Sequence, residues 1–263
     1  MISKPGKVIW ITGASSGLGR SLALKLAADG NRVIASARNQ DELEKLAAHD
    51  ANITPLACDI TDEVAMDAVR LCLAEISPRL DQVILNAGNC EYLDFPEPDW
   101  SAVRRVMEVN YFGTVNCLKT ALPLLRQNRS ERPHVVVVAS QVTAAPFPRA
   151  EAYGASKAAM RYFFDSLRMD LVADGIDVTV VNPGFVDTPL TRKNDFPMPF
   201  LMQVDEAATC IIKNMEARPR TYSFPLRLSA LLLLSKLMPG LWQKMVVPKT
   251  DLSAKQSEQG AGK

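Results

Sequence analysis

Histidine is scarce in this 263-residue chain: only His49 and His134 occur, and neither stands in a cluster of acidic residues or cysteines. That scarcity argues against a histidine-ligated metal and against hydrolysis by a histidine base, so no metal site is expected. The five cysteines, Cys58, Cys72, Cys90, Cys117 and Cys210, are odd in number and lack the paired spacing of a metal site. No secretory signal is read at the start of the chain, so they are expected to be reduced thiols of a cytoplasmic protein. Excess charge is missing too, and a net charge of +1 gives no broad field for nucleic acid. Long apolar runs are missing at the N-terminus. Val8-Ile9-Trp10-Ile11 is far too short for a signal or for a bilayer span of about 20 residues. No internal repeat or flexible linker divides the sequence. Residues 1–250 are therefore expected to form a single domain, followed by a polar, frayed tail over 251–263.

What is present is apolar and periodic. Hydrophobic residues make up 48% of the chain, ample to cover both faces of a sheet. Short β-branched runs at 7–12, 32–37, 53–58, 82–85, 134–139 and 177–181 predict strands, with a seventh near 220–224. Helical patterns fall between them at 17–28, 41–49, 62–76, 103–127, 152–173 and 205–215. This alternation predicts an α/β fold: a doubly wound, Rossmann-like domain with six to seven parallel strands and helices on both faces.

Glycines and polar residues gather where these strands end. Gly13 follows the first strand, Arg38 the second, Asp59 the third, Asn86 the fourth, Ser140 the fifth and Asn182-Pro183-Gly184 the sixth. Ligands of open parallel sheets bind beyond the carboxyl ends of the strands, so six stretches converge on one expected crevice. Thr12-Gly13-Ala14-Ser15-Ser16-Gly17-Leu18-Gly19 links the first strand to the first helix. Its glycines let backbone amides approach phosphate oxygens, and the helix beginning near Gly17 turns its positive end to the same place. The end of the second strand reads Ile34-Ala35-Ser36-Ala37-Arg38-Asn39, without the carboxylate that accepts from an NAD ribose. Arg38 can instead pair with a 2′-phosphate, with Ser15 and Ser16 adding hydroxyls, which points to NADP(H) over NAD(H).

Tyr153 and Lys157 are four residues apart on a predicted helix and so share a face, thirteen residues beyond Ser140. A phenol of ordinary pKa ~10 is a poor proton shuttle at neutral pH, and moving it to 7 needs about 4 kcal/mol. A fixed cation about 4 Å away supplies roughly that at an effective dielectric near 20. The pair is thus expected to act as a tuned proton donor or acceptor.

Together these residues resemble the classical short-chain dehydrogenase/reductase family over roughly residues 7–190. The 12–19 turn is similar to the family's Thr-Gly-x-x-x-Gly-x-Gly. Asp59-Ile60 is similar to its adenine-contacting pair. Asn86-Ala87-Gly88 resembles its Asn-Asn-Ala-Gly segment, with Leu85 in place of the first asparagine. Asn110, Ser140, Tyr153 and Lys157 match its four catalytic positions, and Pro183, Gly184, Val186 and Thr188 resemble the stretch meeting the nicotinamide. The resemblance implies that Ser140 binds a substrate carbonyl, that Tyr153 exchanges its proton, that Lys157 tunes Tyr153 and binds ribose hydroxyls, and that Asn110 anchors a water. It also implies a homodimer or homotetramer.

Three loops, 89–99, 141–152 and 191–204, are expected to shape the substrate site. The last carries Phe196, Met198, Phe200, Leu201 and Met202, read equally well as a lid for a lipophilic small molecule or as loop packing. From Ala217 through Thr250 there is no acidic residue, while leucines and basic side chains alternate. Residues 225–247 are expected to be an apolar, basic helical segment that walls the pocket, joins a subunit interface or touches a membrane surface without spanning it. The reading is an NADP(H)-dependent oxidoreductase interconverting a carbonyl and an alcohol. Its rivals are a nucleotide-binding sensor without turnover and an epimerase or dehydratase on the same scaffold.

Overall fold

The computed structural model describes residues 3–247. Its order is β1 (Val8–Thr12), α1 (Gly17–Ala28), β2 (Arg32–Ala37), α2 (Gln40–Ala47), β3 (Ile53–Ala57), α3 (Glu63–Ile76), β4 (Gln82–Leu85), α4 (Ser101–Met107), α5 (Gly113–Arg126), β5 (His134–Val138), α6 (Glu151–Asp170), β6 (Asp177–Pro183), α7 (Val204–Met215), β7 (Thr221–Phe224), α8 (Leu226–Leu237) and α9 (Pro239–Val246). The seven strands form one parallel sheet in the order β3-β2-β1-β4-β5-β6-β7. The chain reverses direction across the sheet between β1 and β4, and that switch point opens the crevice described below.

The apolar runs are continuous because both faces of each strand are covered. Ile9 and Ile11 pack with α1 and α7 through Leu22, Leu26, Ile211 and Ile212. Trp10, between them, points to the opposite layer with Leu73, Leu125 and Phe164. The valines of β5 divide the same way, Val136 and Val138 to one side, Val135 and Val137 to the other. Each such buried side chain contributes about 1.5–3 kcal/mol relative to remaining in water. His134 begins β5 at the sheet edge remote from the crevice. Its Nε2 lies 2.8 Å from the Thr179 hydroxyl, which donates to Pro219 O, and its Nδ1 lies 3.2 Å from Gln82 Nε2. That pattern fits a neutral ring with the proton on Nε2, and burial lowers its pKa to about 3. This histidine is structural.

One helical expectation changes. The helix predicted over 103–127 starts earlier, at Ser101, and is split by a π-turn at Glu108–Phe112. The Thr114 hydroxyl donates to Asn110 O at 2.7 Å, and the Asn110 side chain is held from outside the helix, so the regular ladder widens there. Within the expected helical segment 225–247, α8 falls between Pro225 and Pro239, and Pro239 opens a second helix, α9, after the break at Met238. Helix α2 begins at Gln40, with Asn39 Oδ1 accepting from Glu42 N at 3.2 Å. The expected seventh strand forms as β7. The tail expected over 251–263 lies outside the described residues. Among the described residues, no helix is long and apolar enough to cross a membrane.

Candidate active site

The turn after β1 is locked to the turn after β4. Thr12 Oγ1 accepts from Asn86 N at 3.1 Å and from Ala87 N at 3.2 Å. In return, Asn86 Nδ2 donates to Thr12 O at 3.1 Å and Gly13 O at 3.3 Å. Gly13 adopts a positive φ of 69°, and a Cβ there would lie 2.8 Å from Ala87 Cα. At Gly19 a Cβ would fall 2.2 Å from Gly13 O. Only hydrogen fits in this floor. Ser16 precedes α1 in extended conformation without capping it by its side chain, so the first amides of the helix face the crevice edge.

The polar residues come from three further elements. Ser140 follows β5, and its hydroxyl accepts from Val142 N at 3.1 Å. Tyr153 and Lys157 lie on α6, and Tyr153 and Ser140 line the same crevice. Lys157 Nζ donates to Val138 O, the last carbonyl of β5, at 2.9 Å. Asn110 is fully buried behind them in the π-turn. Its Oδ1 accepts from Asn89 N at 2.8 Å, and its Nδ2 donates to Asn89 O and Ser156 Oγ, both at 2.9 Å. Gly88 joins the two groups, since a Cβ there would lie 3.0 Å from Asn110 Oδ1 and 3.3 Å from Lys157 Nζ.

The electrostatics of the pair follow from its surroundings. Lys157 Nζ lies 6.0 Å from the centre of the Tyr153 ring and is only 4% exposed as a residue. Burial is the larger influence on both groups. It pushes Tyr153 up to about 12, with Cys90 adding to the rise and the Ser140 hydroxyl opposing it. It brings the Lys157 ammonium down to about 8. In the chain alone the phenol is therefore not acidified. The ammonium is engaged by the strand carbonyl, and at the phenol the effect of desolvation exceeds that of the Ser140 hydroxyl.

The open crevice has a volume of about 170 Å³ and is lined by Ser16, Gly17, Leu18, Asn86, Gly88, Ser140, Tyr153, Lys157, Pro183, Gly184, Val186 and Thr188 from the expected set. Gly13, Gly19 and Ala87 lie beneath it as the locked turns, and Ser15 stands partly exposed in the first of them. Arg38 and Asp59 are exposed at the ends of the adjacent strands β2 and β3. Partial burial would raise the Asp59 carboxyl, but the Thr61 amide and hydroxyl and the nearby Arg38 hold it below the usual range. Ile60 is buried in the core, where Gly113 leaves it room. The lining also includes Asn89, Val138, Pro189, Leu190 and Thr191, which sequence reasoning did not single out. Thr191 had a readable signal in Thr188-x-x-Thr191. Its hydroxyl accepts from Thr188 N at 2.9 Å and donates to Val186 O, folding the segment over Gly17. Among the described residues no cluster suited to a metal occurs.

The loops 89–99, 141–152 and 191–204 are fastened to one another. Arg149 Nε donates to Asp94 Oδ1 at 2.5 Å and its NH1 to Asp195 Oδ1 at 2.7 Å, one partner in each flanking loop. Its carbonyl accepts from Leu93 N at 3.0 Å, and its guanidinium lies 5.3 Å over the Tyr92 ring. The Tyr92 hydroxyl donates to Asn194 Oδ1 at 2.7 Å, and Phe196 packs edge-on against both Tyr92 and Phe185. Met202 is buried and bridged to Val186. None of Phe196, Met198, Phe200, Leu201 and Met202 lines the crevice; Phe196 and Met202 pack onto the domain, while Phe200 and Leu201 remain exposed.

A family model described as short chain dehydrogenase matches residues 7–197. An uncharacterized oxidoreductase of Myxococcus xanthus (strain DK1622) is 37% identical over 234 residues, covering 87% of this chain and 91% of that protein. The 11-beta-hydroxysteroid dehydrogenase A of Sesamum indicum is 35% identical, covering 71% of this chain and 54% of that one. Among solved structures, a short chain dehydrogenase from Burkholderia cenocepacia J2315 in complex with NADP superposes with a TM-score of 0.80 at 25% identity, covering 93% of this chain and 99% of that one. With its parallel seven-stranded sheet and crevice at the switch point, this is a Rossmann-like α/β protein of the oxidoreductase class. The chain belongs to the short chain dehydrogenase family. Several animal and plant relatives are longer, and the chain spans between 54% and 62% of their length.

Because Arg149 holds both flanking loops, Arg149→Ala is expected to speed amide hydrogen exchange in 191–203 and 90–95 while leaving exchange in β1, β4 and β5 unchanged. Unchanged exchange in those loops would show that the ion pairs do not hold them.

Proposed function

We propose that this chain is an NADP(H)-dependent oxidoreductase that interconverts a carbonyl and an alcohol, with Tyr153 as the proton-exchanging group. The observation that carries the reading is the meeting of Ser140, Tyr153 and Lys157 in one crevice whose floor is the glycine turn. A dinucleotide fits the residues present. Gly13 and Gly19 leave no space for a side chain, the first amides of α1 face outward, and no carboxylate closes the end of β2. The turn from Gly13 to Leu18 would hold the pyrophosphate, Asp59-Ile60 the adenine side, and Arg38 a 2′-phosphate. Asn86-Ala87-Gly88, Lys157, Pro183, Gly184, Val186 and Thr188 would hold the nicotinamide half. When bound, the nicotinamide supplies or accepts the hydride.

The residues themselves supply the rest. The Ser140 hydroxyl donates to a substrate carbonyl oxygen and fixes it within reach of Tyr153. Tyr153 donates its proton to that oxygen as a general acid during reduction. In the reverse direction it must accept a proton, and the Lys157 ammonium is the nearby charge that stabilises the phenolate. Asn110, tied to Asn89 and Ser156, fixes the π-turn against which Gly88 and Lys157 rest. The apolar wall of Val186, Pro189 and Leu190 supports a lipophilic substrate, as does the hydroxysteroid in the name of the sesame relative. A homodimer or homotetramer belongs to this proposal, supported by the apolar Tyr162 and Met169 left exposed on α6. So does a cytoplasmic location.

Replacing the phenol tests the chemistry. Tyr153→Phe is expected to lower kcat by roughly 10²- to 10⁴-fold, with NADPH affinity unchanged within a few-fold. Turnover near wild type would remove Tyr153 from this role. Arg38 is tested separately. Its loss from a charged hydrogen bond of about 1.5–3 kcal/mol should weaken NADPH by about 10- to 150-fold and leave NADH nearly unchanged. Equal weakening of both, or equal wild-type affinities, would refute the 2′-phosphate assignment.

A further inference from the structure

Helices α8 and α9 pack on the substrate side of the molecule through one face only. Leu228, Leu232 and Trp242 are buried against Ala145, Phe147 and Phe185, and the Trp242 indole donates to Pro146 O at 2.9 Å. The opposite face is apolar too. Leu226 is 77% exposed, Leu237 72%, and Leu233 and Met245 57% each, with Met238 and Leu241 beside them. A helix that is apolar all round is ordinarily covered, and among the described residues nothing covers this side. Arg227, Lys236 and Lys244 are exposed on the same two helices. No carboxylate occurs from Ala217 through Thr250 to neutralise them.

We infer that the outer face of α8 and α9 is a docking surface for an anionic lipid bilayer. Leucines flanked by uncompensated lysine and arginine suit an interface whose acyl boundary accepts the former and whose headgroups attract the latter. At about 1.5 Å per residue, the 12-residue α8 is about 18 Å long, too short to span a ~30 Å hydrocarbon layer, so it lies along the surface. A second copy of this chain fits less well. A two-fold contact would set the basic side chains of each copy against those of the other with no acid between them. The C-terminal segment 251–263 is also a poor cover, since Leu252 is its one large apolar residue.

The position gives the docking a consequence. Leu228 lies against Gly184 of the crevice wall, where a Cβ would come within 2.6 Å of its Cδ2. Ser229 Oγ donates to Gln141 Oε1 at 3.2 Å, one residue from Ser140. A bilayer on the outer face would lie one helix thickness from the crevice, so a lipophilic molecule dissolved in it enters with a short path through water. The docking itself is independent of the reaction proposed above.

The test is co-sedimentation of the full chain with vesicles of phosphatidylcholine alone and of phosphatidylcholine mixed with phosphatidylglycerol. Binding is expected to favour the anionic vesicles by roughly tenfold or more and to weaken as salt is raised. Leu233→Glu/Leu237→Glu, at exposed positions, should lose roughly tenfold or more in partitioning while its thermal unfolding stays like wild type. Lys236→Glu/Lys244→Glu should lose the preference for anionic vesicles and provides an independent arm if the leucine variant misfolds. Protein left in the supernatant with both vesicles, equal binding to both, or wild-type binding by both variants would overturn the inference. So would a dimer, seen by light scattering, that the leucine variant abolishes while no vesicle binding is found.

Discussion

The contact on which this site depends is the hydrogen bond from the Lys157 ammonium to Val138 O. It ties the middle of α6 to the end of β5 and places a cation where little water reaches it. Placement of Tyr153 one turn earlier on α6, and of Ser140 two residues beyond Val138, follows from those same two elements. The arrangement is costly, since burial disfavours both the ammonium and a phenolate. The chain offsets that cost by packing α6 on a sheet whose central strands β4 and β5 are buried throughout, with Phe164 and Met160 in the core behind the site. Rigid scaffold and reactive edge are thus two ends of one helix.

Much of this was legible because it is periodic. Valines in β5 and the alternation of Ile9, Trp10 and Ile11 announced buried parallel strands, and strand ends in such a sheet must share an edge. Gly13 and Gly19 were readable as positions needing hydrogen, and the contacts a Cβ would meet there give the reason. What sequence spacing did not contain was the third dimension of charge. The four-residue interval between Tyr153 and Lys157 fixed a shared helix face, but not that Val138 O would engage the ammonium or that burial would raise the phenol. The π-turn at Asn110 was hidden for a related reason. It arises from hydrogen bonds to Asn89 and Thr114, partners that no helical pattern in the 103–127 stretch displays.

The loops show the same division between local and distant information. Phe196 and Met202 read as apolar on any scale, yet their partners Tyr92, Phe185 and Val186 lie far from them in sequence or across a turn. Arg149 looked like an ordinary loop residue, and only the fold reveals that one guanidinium reaches both flanking loops. Conversely, the run from Ala217 to Thr250 was conspicuous in sequence for its lack of acids. The structure then added which leucines are spent on packing and which remain outside.

In the chain alone desolvation favours the protonated Tyr153 phenol, and the proposed function requires positive charge at the crevice to ease its proton loss. The most direct measurement is a pH titration of tyrosinate absorbance in wild type minus Tyr153→Phe, with and without saturating oxidised NADP. The account predicts a Tyr153 transition near 12 in the chain alone, shifted downward by at least ~1 unit when the oxidised nucleotide is present. A Tyr153 transition already near neutral pH in the chain alone, or one that the nucleotide does not move, would contradict it.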